Sequence, residues 1–119
     1  MRNVWDQNQI LGKADELAHF VYYITKSFPK SELYGLTSQL RRAAVSVPTN
    51  MIEGYFRLST KSHIHFLEIA YASLMETHYL LDFSFKEKLI TQVNFQLAIG
   101  LCEQVEKMLY SKIRTMKQE

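Results

Sequence analysis

A single cysteine, Cys102, cannot form an intrachain disulfide, so a packed core has to hold the 119 residues together. Proline is nearly absent, with only Pro29 and Pro48, and four glycines leave little material for turns. A chain so poor in breakers is expected to form few, long elements with short connections. No apolar run approaches the roughly 20 residues of a membrane span. The opening MRNVWDQNQILGK lacks the charged, then apolar, then small-residue order of a signal peptide, which together with the lone cysteine predicts a cytoplasmic protein with no membrane partner. There is no glycine-rich phosphate loop, and no serine stands in a nucleophile elbow. Neither an enzyme nor a cofactor site is therefore expected.

What is present is ordinary globular material, 47% hydrophobic and 22% charged, at a length that suits one domain spanning residues 1–119. The net charge of +2 is too small to argue for nucleic acid by itself. Its distribution is uneven: residues 31–62 carry four bases against two acids, and residues 63–90 carry two against four.

Apolar residues recur at helical spacing in four segments. Asp6 followed by Gln9 resembles a capping box, and Leu17, Phe20, Val21, Ile24 and Phe28 then mark one face, predicting a first helix from about Gln7 to Ser27 that Pro29 stops. Lys30 to Gly35 connects it to a second helix over Leu36 to Leu58, with Ser31 or Thr37 as the cap. A third helix, capped by Ser59 or Thr60 and reaching Phe85, is apolar over an arc of roughly 200° through Phe66, Leu67, Ile69, Ala70, Leu74, Leu80 and Leu81. Only Lys61, His65, Glu68, Glu76 and Tyr79 mark its solvent side. A polar turn at residues 86–88 leads to a fourth helix, capped by Thr91, with Phe95, Ala98, Leu101, Cys102, Val105, Met108, Leu109 and Ile113 in phase. Three short connections between four helices predict an all-α, antiparallel up-down-up-down four-helix bundle.

The second helix carries more apolar surface than one core contact uses. Leu40, Ala43, Val47, Met51, Gly54 and Leu58 form the core stripe, while Val45, Pro48, Ile52 and Phe56 cluster on another side. Pro48 removes the hydrogen bond to the Ala44 carbonyl, which either kinks a continuous helix or breaks it in two at Val47. Two apolar faces call for two partners, so Val45, Pro48, Ile52 and Phe56 are the candidate interface of a homo-oligomer; the alternative is that the excess is partly exposed and without consequence. A third, polar stripe of Arg42, Ser46, Asn50, Glu53 and Arg57 is either an ion-pair ladder or a phosphate-binding edge. Arg41, Arg42, Arg57 and Lys61 are accordingly the candidate nucleic-acid contacts, of a kind that supplies affinity without sequence preference. The bases of the last helix, Lys107, Lys112, Arg114 and Lys117, suit a helix C-terminus and are read as structural.

Other constellations are weak. A di-iron bundle needs two Glu-x-x-His pairs, and only Glu16 to His19 supplies one, so no metal site is expected. His63 and His65 are two apart and point to different sides of a helix. His78 falls toward the apolar arc as a core or interface histidine, and Cys102, among Ala98, Leu101 and Val105, reads as a buried, inert thiol.

The run from Phe28 through Tyr34, Gly35, Leu36 and Thr37 to Arg41, Arg42, Ala43, Ala44, Ser46, Val47, Pro48, Asn50, Glu53, Gly54 and Arg57 resembles the core signature of the bacterial four-helix-bundle proteins known as 23S rRNA intervening-sequence proteins. Phe66, Leu67, Ile69, Ala70, Ser73 and Leu74 are similar to that family's third helix. The resemblance extends from Val4 and Trp5 into the fourth helix. It implies a non-enzymatic bundle that assembles into a ring, typically a pentamer. It also implies possible partners: RNA or DNA, and a reverse transcriptase, because a similar bundle is the basic, nucleic-acid-binding accessory of retroelement reverse transcriptases. The rival reading is a protein-interaction scaffold that does not touch nucleic acid. Ile52, Phe56 and Ala72 depart from the family pattern, which has small residues or glycine at these places, and the first two lie on the candidate interface.

Overall fold

A computed structural model describes residues 8–119, and everything below concerns those residues. Four α-helices account for nearly all of them: α1 (Gln9–Thr25), α2 (Ser38–Tyr55), α3 (Thr60–Lys86) and α4 (Gln92–Gln118). Each helix packs against its neighbours in chain order, and α1 closes the square against α4. The end of α2 meets the start of α3 where Gly54 sits on His63, the end of α3 meets the start of α4 where Phe85 stacks on Phe95, and the end of α4 returns to the start of α3 where Lys117 pairs with Glu68.

The helix starts follow the expected chemistry. Ser59 accepts a hydrogen bond from the Ser62 amide at 3.1 Å, and Thr91 accepts one from the Asn94 amide at 3.2 Å, each satisfying one orphan donor of a first turn. In α1 the cap is Asn8, whose Oδ1 accepts from the Leu11 amide at 3.0 Å; Asp6 and Gln7, in the expected first turn, lie outside the described residues. The turn after α3 closes with Lys88 in the left-handed region at φ 63°, while the Leu89 amide reaches back to the Ser84 carbonyl and the Lys88 amide to Phe85.

The second helix departs from expectation at both ends. Neither Ser31 nor Thr37 caps it: Lys30–Glu32 forms a 3₁₀ turn, Leu33–Thr37 a π turn distorted at Gly35, and Thr37 runs into α2 with helical backbone angles. At the other end α2 stops at Tyr55, three residues early: the Phe56 amide still makes the helical bond to the Ile52 carbonyl, but the Arg57 amide turns back to that of Gly54. Leu58, assigned to the core stripe on a continuing wheel, is fully exposed as a result. Between these ends the helix passes through Pro48 without interruption, so the two-helix alternative does not hold.

The core takes most of the stripes read from the sequence, but Leu58, Phe66, Ile69 and Met108 lie outside it. Leu17, Val21, Leu40, Val47, Leu74, Leu81, Val105 and Leu109 have no measurable exposure. The residues assigned to the solvent side of α3 are all exposed. Two hydroxyls inside the core satisfy themselves along their own helix, Thr77 to the Ser73 carbonyl at 2.8 Å and Ser84 to the Leu80 carbonyl at 2.7 Å. No buried side-chain polar atom among the described residues lacks a partner.

The α2–α3 seam is built from small residues. A Cβ on Gly54 would stand 3.1 Å from the His63 carbonyl oxygen and 3.1 Å from the Phe66 Cβ, so the glycine sets how closely the two backbones meet. Further along, the Ser46 and Ser73 hydroxyls share a hydrogen bond of 2.8 Å, and the Asn50 amide donates to the Ser46 carbonyl and hydroxyl. Gly54→Val overfills the seam and is expected to lower the unfolding free energy by about 1–3 kcal/mol, measured by urea denaturation; unchanged stability would mean that the helices separate there at no cost.

Candidate functional site

α2 is held between α1 and α3, and its second apolar face lines an open groove against α1. Val45, Pro48 and Ile52 line a groove of about 730 Å³ with Leu11, Ala18 and Tyr22 of α1. Its rim is polar, with Asp15, His19, Lys26 and Thr49. Pro48 is buried at the bottom, whereas Val45 and Ile52 are half-buried and Tyr23, at the edge, is 60% exposed. Three of the four candidate interface residues thus share one concave, largely apolar surface. The fourth, Phe56, is the C-cap residue beyond the last helical turn; it is 64% exposed and packs edge-to-face on Tyr55 at 5.1 Å.

The four candidate cations do not share one surface. Arg41 turns toward α1, where its Nε donates to the Thr25 hydroxyl at 2.8 Å and its guanidinium lies 4.5 Å from the centre of the Tyr22 ring. Thr25 is itself buried and donates to the Val21 carbonyl at 2.7 Å, so Arg41 ties the last turn of α1 to α2. Arg42, the next residue, faces the other way, into a polar recess shared with Gln39, Ser46, Ser73 and Glu76. Arg57 pairs with Glu53 at 2.6 Å, as the ion-pair reading of the stripe requires, and its guanidinium covers the Phe66 ring at 4.4 Å. Lys61 is exposed in the first turn of α3.

A second group of bases reaches the same end of the bundle as Arg57 and Lys61. The last turns of α4 run alongside the first turns of α3, where Lys117 meets Glu68 at 2.8 Å. Lys112 lines a small cavity with His63, and burial together with the Lys112 ammonium holds the His63 imidazole below its usual pKa. Arg114 lies 6.0 Å from the centre of the Tyr110 ring. Read one helix at a time, these bases merely complement a helix C-terminus; only the pairing of α3 with α4 brings them to the end of the bundle where α3 begins.

The remaining candidates behave as follows. Cys102 is fully buried, and burial followed by repulsion from Glu106 and Glu103 pushes its pKa up to about 12, which leaves the thiol protonated. His78 is not a core residue: its imidazole is about one-third exposed and lies 3.8 Å from Glu106 across the α3–α4 boundary. His19 is exposed, 3.4 Å from Asp15, and no group of three or more His, Cys, Asp or Glu among the described residues could hold a metal ion. No helix among them is long and apolar enough to cross a membrane.

Arg41→Ala leaves the Thr25 hydroxyl and the last turn of α1 without their tie to α2. It is expected to cost about 1–2 kcal/mol of stability in urea denaturation, with Arg41→Lys recovering only part because an ammonium lacks the planar fork. An unchanged midpoint would free Arg41 for a role outside the fold.

A crystal structure of a protein of unknown function from the S23 ribosomal protein family of Bacteroides thetaiotaomicron VPI-5482 superposes with a TM-score of 0.79, covering 87% of this chain and 97% of that one at 23% identity. It supports the fold. No curated protein matches the sequence. The model of the 23S rRNA-intervening sequence protein family matches residues 6–111. With that match spanning nearly the whole length, and the Arg41-Arg42-Ala43-Ala44 to Asn50 signature placed on the helix that organises the bundle, the chain belongs to the 23S rRNA-intervening sequence protein family.

Proposed function

We propose that the protein is a non-catalytic bundle that assembles with further copies of itself through the α1–α2 groove, in the pentameric ring its family resemblance implies, and binds RNA or DNA with little sequence preference. The observation that carries the reading is the convergence of Val45, Pro48 and Ile52 with residues of α1 on one open apolar surface. A concavity of this kind, rimmed by polar groups, is a common form of association site. The protonated thiol of Cys102 argues for a role without a cysteine nucleophile.

The nucleic-acid part rests on one end of the bundle, to which Arg57 of the α2–α3 turn, Lys61 of α3 and Lys112, Arg114 and Lys117 of α4 all belong. Arg41 is the weakest of the four sequence candidates, because its guanidinium is already engaged within the fold. The same kind of observation favours the scaffold as a second reading, since Arg57 is paired with Glu53 and Lys117 with Glu68. Exposed pairs of this sort are worth little, roughly 0–1 kcal/mol, and a phosphate can displace their carboxylates.

Assembly is tested by light scattering on the purified protein, which should report the mass of several subunits; Ile52→Glu, burying an unpaired carboxylate at the contact, should reduce it to that of one. A wild-type monomer would end the assembly reading. Binding is tested with a mixed-sequence RNA, for which affinity should fall steeply with salt and drop further in a variant carrying Arg57→Gln and Lys61→Gln. Affinity indifferent to both would leave the scaffold.

A further inference from the structure

Between α3 and α4, on the far side of the bundle from the α1–α2 groove, is a recess of about 370 Å³ that Arg114 and Lys117 of the basic end help to line. Two tyrosines from different helices meet there: Tyr71 of α3 and Tyr110 of α4, with ring centres 6.2 Å apart and planes inclined by 47°. Tyr110 is 52% exposed, so much of its ring is open to solvent. One helical turn further along α4, the Arg114 guanidinium lies 6.0 Å from the Tyr110 ring centre. Lys117 also lines the recess and is held by Glu68 at 2.8 Å.

We propose that this recess takes an unpaired base of single-stranded nucleic acid, with the base on the Tyr110 ring and its phosphates on Arg114 and Lys117. The proposal rests on the nucleic-acid reading above and names a place for it that is separate from the α2 residues. An exposed ring offers a face on which any base can stack, and a base held in a duplex cannot reach it. Arg114 and Lys117 are three apart on α4, on the same side of the helix, so both can follow one strand past the ring. Glu68 opposes an incoming phosphate. It also keeps Lys117 positioned beside the recess, and Lys117 exchanges one carboxylate for a phosphate on binding. The chemistry does not distinguish ribose from deoxyribose, since the ring and the cations address the base and the phosphate.

The test is fluorescence anisotropy on the intact protein with short labelled oligouridylate, oligothymidylate, an abasic strand of equal length, and a duplex. The expected order is tighter binding of both single strands than of the abasic strand or the duplex. Tyr110→Ala should weaken the single strands by roughly 5- to 100-fold and leave the abasic strand unchanged. Arg114→Gln should weaken all strands and lower the slope of log affinity against log salt by about 0.7. Light scattering on Tyr110→Ala should report the wild-type mass. If the wild type binds single strands in a salt-sensitive way and Tyr110→Ala makes no difference, this site is wrong and the general reading stands. No salt-sensitive binding of any strand by the wild type overturns both. A Tyr110→Ala protein that loses its assembly would make this face a contact between copies, which also overturns the proposal.

Discussion

The contact on which the rest of the structure depends is the approach of α2 to α3 at Gly54. With no side chain there, the end of α2 lies against the His63 carbonyl and the Phe66 side chain, and the polar contacts among Ser46, Asn50 and Ser73 continue the seam upward. Committing that edge of α2 to α3 fixes the rotation of the helix about its own axis. Leu40, Val47 and Met51 then point into the core, and Val45, Pro48 and Ile52 are left facing α1, where Leu11, Ala18 and Tyr22 only partly cover them. A bulkier seam would turn or displace the helix and close or reshape the groove. The apolar surface offered for association is therefore a consequence of how the core is packed.

Much of this was legible because it depends on local periodicity. The stripes of α3 and α4, the caps at Ser59 and Thr91 and the solvent side of α3 follow from residue spacing and from which side chains can reach a first-turn amide. The capping box at Asp6 lies outside the described residues, and Asn8 caps α1 two residues on. What failed was the end of α2. Glycine ordinarily marks a helix stop when it follows the last residue, in the left-handed conformation. Gly54 lies inside the helix, where its value is the close contact with α3, and no local signal shows that the chain turns away one residue after it. A wheel carried past that point put Leu58 in the core and Phe56 on the groove. The structure puts Leu58 in solvent and Phe56 on Tyr55.

The candidate site was legible to the same degree and for the same reason. That α2 has a second apolar face is a one-helix property, and Val45, Pro48 and Ile52 were found by it. Charge is different, because a cation's role is decided by what another helix sets opposite it. Arg41 and Arg42 are adjacent in sequence and were equivalent candidates, yet about 100° of helical rotation sends one to the Thr25 hydroxyl on α1 and the other to the recess beside Glu76 on α3. The bases of α4 gain a possible role only because antiparallel packing returns them to the end where α3 begins.

This separation has a consequence for how the two proposed activities can coexist. Association through the α1–α2 groove would use one side of the square of helices, and the tyrosine recess lies on the opposite pair, α3 and α4. A ring built on the first face carries a copy of the second on every subunit. Each subunit brings only two or three cations to a strand, one of them opposed by Glu68, so a single site would bind weakly. Several such sites on one closed assembly act on the same strand at high effective concentration, and avidity can then exceed the single-site affinity by orders of magnitude. On this reading the modest charge of the chain is no obstacle to nucleic-acid binding, because the unit that binds is the assembly, and the packing of α2 that opens the groove comes before any affinity the basic end can express.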